Sequence, residues 1–459
     1  MRELLHYVAS ELADYRESLP DARVYPETTF DELRAALGGP LGDGPEPAAD
    51  VAAALVKNVT RGLVASDGPR FFGFVVGGSV DAALAADLLA VGWDQLAFNH
   101  VSSPVAAVVE EVAGSWLKNV LSIPASASIG FVTGGQGANT VCLAAARHRV
   151  LANAGWDVEQ DGLVAAPPVR VVASVERHAT IDRSLRLLGL GRACVEAVPA
   201  DANGAIDVDR LRDVLAEGDA APTIVCAQAG NVNTGACDDL AVVCEVAHGI
   251  DAWVHVDGAF GLWAAASPST RQLVNGIELA DSWACDGHKW LNVTYDCGYA
   301  LCAHPDDHAA SMNYSASYLA GQGEGAVRNP SDFNLESSRR ARGFATWAAL
   351  RQLGRSGVAD LVDRCNVLAR RFAQQLDASD GCVVVNDVVL NQVLVRVADD
   401  AETTDRIIDA VQRDGTCWLA GTTWRGERLV RISVSNHTTT EADVDRSVAA
   451  IRRARAAAG

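Results

Sequence analysis

The sequence predicts an α/β fold with a mainly parallel sheet, and three observations predict it. Short apolar runs at 169–174, 223–228 and 253–257 have strand length, and their continuous hydrophobicity marks strands covered on both faces. The run 129–132 passes through Thr133-Gly134-Gly135 into an amphipathic helix reaching Arg147, a strand, turn and helix start whose backbone amides can hold a phosphate. In the C-terminal part helix and strand alternate again, with helices at 358–376, 404–414 and from 441, and strands at 382–385, 392–395 and 429–434: a small α/β domain. Ahead of these lie helices. Leu4, Leu5, Val8 and Leu12 share one helical face and Phe30, Leu33 and Leu37 another, with breakers at 38–47. Such stripes pack either on their own domain or on a partner chain. The expected division is 1–72, 73–346 and 347–459.

A hydrophobic share of 49% with 21% charged residues is a globular composition. The formal charge of −20 argues against nucleic acid or an anionic membrane as a partner. The first twenty residues show no signal segment, and no apolar run is long enough to span a bilayer, so a cytoplasmic protein is expected. Eleven cysteines without CxxC pairs suggest neither a disulfide framework nor a metal site, and Cys285 and Cys297 read as packing residues.

Lysine is scarce: only Lys57, Lys118 and Lys289 stand among 38 lysines and arginines. A lysine kept between Trp283 and Trp290 either rests its stem on tryptophan or does chemistry. Arginine stays protonated, whereas a desolvated lysine can lose its proton and condense with an aldehyde. The run ending in Asp257 favours chemistry, because it delivers a carboxylate to the C-terminal end of a strand, where open α/β sheets bind ligands. A buried carboxylate needs a cationic partner. Acid and amine together match the two attachments of pyridoxal phosphate (PLP), at the ring nitrogen and at the aldehyde. His178, just past the strand 169–174, either caps a helix or packs, or has a functional part in handling protons, and its position favours function. Asp238 and Asp239 are expected to start a helix, as N-cap and first-turn acids.

The segments around Asp257 and His288-Lys289-Trp290 resemble the group II PLP-dependent amino-acid decarboxylases, which include the aromatic-amino-acid and glutamate decarboxylases and are fold-type I enzymes. The resemblance runs from about Pro69 to the last helix. It implies a large PLP-binding domain at 73–346, a small C-terminal domain, and an N-terminal segment, 1–72, lying across the other subunit of a homodimer. It implies cofactor contacts from Gly135, Gln136, His178, Asn231, Asn233, Asp257, Ala259, Asp286, His288 and Lys289. Phe74, Val75, Phe98 and His100 fall near the substrate, and Tyr318 precedes a glycine-rich loop that usually carries a proton-donating tyrosine. The activity implied is decarboxylation of an L-amino acid, aromatic or apolar, through a Lys289 Schiff base. Three departures stand out: Gly137 where the family commonly has glutamate, Thr294 where it often has proline, and no tyrosine between Gly321 and Asp332. The last leaves open an oxygen-dependent decarboxylative deamination, or another PLP lyase or transferase reaction. Arg431, on an apolar strand, either steers a carboxylate or forms a structural ion pair.

Overall fold

The apolar runs assemble into a seven-stranded sheet in a computed structural model that describes residues 1–217, 221–314 and 328–458. Its strands are β1 Ser128–Val132, β2 Arg170–Ser174, β3 Val195–Val198, β4 Thr223–Gln228, β5 Trp253–Asp257, β6 Ser282–Asp286 and β7 Gly298–Cys302, in the spatial order β1-β7-β6-β5-β4-β2-β3. Neighbours from β3 to β6 pair in parallel, while β7 runs antiparallel to both β6 and β1. The parallel strands therefore deliver their C-terminal residues to one edge, and register aligns Gln228 with Asp257 and Asp257 with Ala284. This sheet belongs to a unit formed by 77–367 and 386–392.

Small side chains bring the helix Gly135–Asn153 close to the sheet: Ala138, Val141 and Cys142 form a buried cluster with Val132, Ala284 and Ala300. The helix Pro104–Val120 begins as its Ser-Pro start predicts, with the Ser103 side chain accepting from the Ala106 N–H and Pro104 in the first turn. The helix Leu240–His248 is capped by Asp239, one residue later than expected, and Asp238 does not take part in the helix start. It turns inward, where its carboxylate accepts from the Ile206 and Gln228 N–H groups at 2.7 Å each, and burial pushes its pKa up to about 6. Gly354 departs from helical geometry within Gly343–Asp377 (φ 61°), separating two helices there.

The second unit comprises 1–76, 368–385 and 393–459. Its sheet has the order β10-β11-β9-β8, from β8 Val383–Val384, β9 Gln392–Arg396, β10 Ala420–Trp424 and β11 Glu427–Ser433. β10 was not expected, since Ala420-Gly421-Thr422-Thr423 carries little apolar signal; it forms as the antiparallel partner of β11. The N-terminal helices Arg2–Ser18, Phe30–Leu37 and Ala48–Val59 contain no buried residue, and Phe30 is 80% exposed.

Candidate active site

At the sheet edge, β1 ends in the turn that opens the helix Gly135–Asn153. The turn is closely packed. A Cβ on Gly134 would lie 2.8 Å from His288 Cε1, and one on Gly135 would lie 2.9 Å from Asp286 Oδ2. Only glycine fits there, which keeps the first-turn amides, without intrahelical partners by geometry, open to an anion.

Asp286 ends β6, and three residues on Lys289 Nζ sits 2.8 Å from its Oδ2. Burial disfavours the lysine's charge, but Asp286 beside it, with Asp257 further off, outweighs burial and leaves the pKa raised. His288 accepts the Cys297 N–H on Nδ1 at 3.1 Å and stacks on Tyr295 with centroids 4.2 Å apart. Its pKa is lowered, chiefly by burial. Cys285 and Cys297 are buried, and burial raises both thiol pKa values, consistent with packing.

Asp257 is buried at the end of β5, where Asn139 Nδ2 donates to Oδ2 at 3.1 Å and the Ala259 N–H reaches Oδ1 at 3.3 Å. The cation expected beside it is thus not Lys289 within the protein, because that lysine is paired with Asp286. Asn139 in turn accepts from His255, which shares the Asp257 face of β5 by the two-residue repeat of a strand. His178 caps the helix Ala179–Leu187 through Nδ1, so the capping role weighed from the sequence is present; the same bond fixes its ring.

Other residues singled out from the sequence have different surroundings. The Gln136 side chain turns to Ser184 Oγ at 2.9 Å, leaving its backbone N–H for the turn. The Asn231 side chain serves its own loop, accepting from the Asn233 N–H at 2.9 Å and donating to the Glu176 carbonyl at 3.3 Å. Phe98 is half-buried, and His100 Nδ1 contacts Asn329 Oδ1 at 2.9 Å. In the other unit Phe74 and Val75 both have positive φ (54° and 61°); Val75 is buried and Phe74 packs its ring 5.1 Å from Trp418. Burial lowers the Arg431 pKa. Tyr318 lies outside the described residues. Asn139, Thr180 and His255 were not singled out from the sequence; for His255 the available signal was a polar residue inside an otherwise apolar strand.

These groups fit PLP: turn amides and a helix N-terminus for phosphate, a carboxylate held ready for the ring nitrogen, an imidazole for the ring face, and a lysine in the same cluster. A sheet that gathers such groups at its carboxyl edge defines a fold-type I PLP enzyme. Residues 32–398 match the Pyridoxal-dependent decarboxylase conserved domain, and the chain belongs to that family: it is a PLP-dependent amino-acid decarboxylase. It is 28% identical over 470 residues to tryptophan decarboxylase 1 of Oryza sativa subsp. japonica, covering 95% of this chain and 90% of that one. It is 27% identical over 409 residues to 4-hydroxyphenylacetaldehyde synthase of Rhodiola rosea, covering 85% and 81%. The crystal structure of Oryza sativa TDC with PLP and tryptamine superposes with a TM-score of 0.91 at 25% identity, over 99% of this chain and 97% of that one. Among the described residues no helix is long and apolar enough to cross a membrane, and no cluster of metal-ligating side chains occurs.

Proposed function

We propose that the chain removes the α-carboxylate of an L-amino acid with an aromatic or apolar side chain, with Lys289 as the covalent anchor of PLP. The observation that carries this is the placement of Asp257 and of the Asp286–Lys289 pair at the ends of adjacent strands. Bound PLP supplies the ring that accepts the electron pair released when the Cα–carboxylate bond breaks. Asp257 keeps negative charge at the ring nitrogen, His178 covers the ring face, and the amides of Gly135 and Gln136 hold the phosphate. Asn231, Asn233, Ala259, Asp286 and His288 complete the cofactor's surroundings. Lys289 must shed the proton that Asp286 stabilises before Nζ can attack an aldehyde carbon. Return of a proton to Cα falls to Tyr318 or to a water held by His178. Phe74, Val75, Phe98 and His100 are assigned to the substrate side, and the aromatic character of Phe71, Phe72, Phe74 and Phe98 supports an aromatic or apolar side chain.

A second reading, release of an aldehyde in an oxygen-dependent reaction, is favoured by the lack of tyrosine between Gly321 and Asp332 and by likeness to the Rhodiola rosea synthase. One assay separates the two: a panel of L-amino acids incubated with holoenzyme under air and under argon, with carbon dioxide, amine, aldehyde and peroxide measured. Amine in equal yield under both gases is expected; aldehyde and peroxide that require air would overturn decarboxylation in favour of the second reading.

The protein is further proposed to act as a cytoplasmic homodimer, with 1–72 as the dimerisation segment, 73–346 binding PLP and 347–459 as the small domain. Exposed Leu5, Phe30, Leu37 and Leu55 on the N-terminal helices support the dimer, and eleven free cysteines support a reducing compartment. Light scattering on the full-length protein tests the dimer; a fully active monomer would refute it.

A further inference from the structure

We infer that Asn139 is a positioning residue for the cofactor site: its one buried amide orients the Asp257 carboxylate and, through Thr180, fixes the proton of His178 on Nε2. The directions of the hydrogen bonds are set from two ends. Trp253 Nε1 can only donate, and it reaches Ser282 Oγ at 2.9 Å. Ser282 Oγ, with a second lone pair and its own proton still available, lies 2.9 Å from His255 Nδ1. Burial pushes the His255 pKa down to about 4, against the pull of Asp257, so the ring is neutral near pH 7. Asn139 turns Nδ2 to Asp257 Oδ2 and Oδ1 to His255; an amide oxygen only accepts, so the ring proton sits on Nε2 and is donated to Oδ1 at 2.9 Å.

In this orientation Asn139 Nδ2 faces both Asp257 Oδ2 at 3.1 Å and Thr180 Oγ1 at 3.0 Å. At the other end the Thr180 backbone N–H, also only a donor, points to His178 Nδ1 at 3.3 Å. Thr180 Oγ1 accepts from Asn139, so its own proton goes to the same Nδ1, 2.8 Å away. His178 therefore bears its proton on Nε2. The acid for the ring nitrogen and the histidine for the ring face are two branches of one amide whose oxygen and both hydrogens are in use. His178 enters the reaction as a donor through Nε2, and Asp257 is oriented by a neutral amide.

The inference about cofactor binding rests on the proposed PLP site, while the bond directions can be read without PLP. Full-length protein with 15N-labelled histidines is to be examined with and without PLP as wild type, Thr180→Val, Thr180→Ser and Asn139→Ala, and PLP is titrated by its visible band. Wild type is expected to show His178 and His255 protonated on Nε2. Thr180→Val should mix the His178 tautomers and weaken PLP binding about fivefold, the equivalent of one hydrogen bond. Thr180→Ser should restore both. Asn139→Ala should weaken binding about a hundredfold and displace the band, as expected when a buried carboxylate loses its donor. A wild-type His178 protonated on Nδ1, or a Thr180→Val protein identical to wild type in nitrogen shifts and PLP affinity, would overturn the inference. A wild type that binds no PLP would overturn the functional proposal instead, and the nitrogen shifts would still decide the bond directions.

Discussion

Asp257 at the end of β5 and Asp286 at the end of β6 are both buried, yet one is held by neutral N–H donors from Asn139 and Ala259 and the other by the Lys289 ammonium. Neutral donors fix a carboxylate's geometry and favour its charged form without cancelling that charge. Asp257 is thereby oriented by neutral donors and not by a side-chain cation, which suits the part proposed for it at a ring nitrogen. Asp286 already has its cation. When Nζ is diverted to an aldehyde, Oδ2 loses that partner; Oδ1 has no hydrogen-bond partner among the described residues, and His288 Nε2 lies 3.5 Å from it. Under the proposed function, the first carboxylate belongs to a support that stays in place, the second to a pair that must rearrange when the cofactor is loaded.

The sharpest way to break this contrast is Lys289→Ala, which is expected to abolish the covalent link to PLP. Borohydride treatment should label the wild type at Lys289, and a labelled adduct persisting in the variant would refute the assignment. Activity should fall by orders of magnitude, as when a covalent nucleophile is lost. Asp257→Asn comes next: the fold should persist while turnover falls about a hundredfold or more, the scale seen when a charge-stabilising group is removed from a developing charge. Circular dichroism and steady-state turnover check it together, and near-normal turnover would remove Asp257 from its role.

The smallest expected effect sharpens the other half. Asp286→Asn removes the main influence that raises the Lys289 pKa, leaving burial opposed chiefly by Asp257. A raised lysine pKa contributes stability that is fully present below the unfolded value, ~10.4, and lost as pH rises through the folded value. Cofactor-free wild type should therefore lose Tm above pH ~10 more steeply than Asp286→Asn does. At neutral pH the variant should be less stable by about 1–3 kcal/mol, the cost of an unpaired buried partner. Parallel Tm profiles would show that the pair contributes nothing to stability.

Much of this arrangement was legible along the chain, because its signals are local. The hydrophobic continuity of 223–228 and 253–257 marks buried strands, the glycine turn marks a helix start, and a rare lysine beside a buried strand end marks chemistry. The Asp286–Lys289 pair spans only three residues, so its spacing was there to be read, although the sequence pointed first to Asp257 as the acid that belongs with the lysine. Asp238 misled for the opposite reason: its neighbour caps the helix, while its own carboxylate is drawn inward by the Ile206 N–H, 32 residues away.

The sequence by itself determined the α/β alternation, the strand end that carries Asp257, the lysine just beyond the next strand, and the choice of PLP chemistry, since these follow from periodicity and residue type within a few positions. Only the tertiary structure decided what holds Asp257. Its donor, Asn139, lies 118 residues away in the chain, and His255 lies 116 residues from that same asparagine. A hydrogen bond of about 3 Å depends on two side chains meeting in space. Helix packing on the sheet creates that meeting, and no local pattern encodes it.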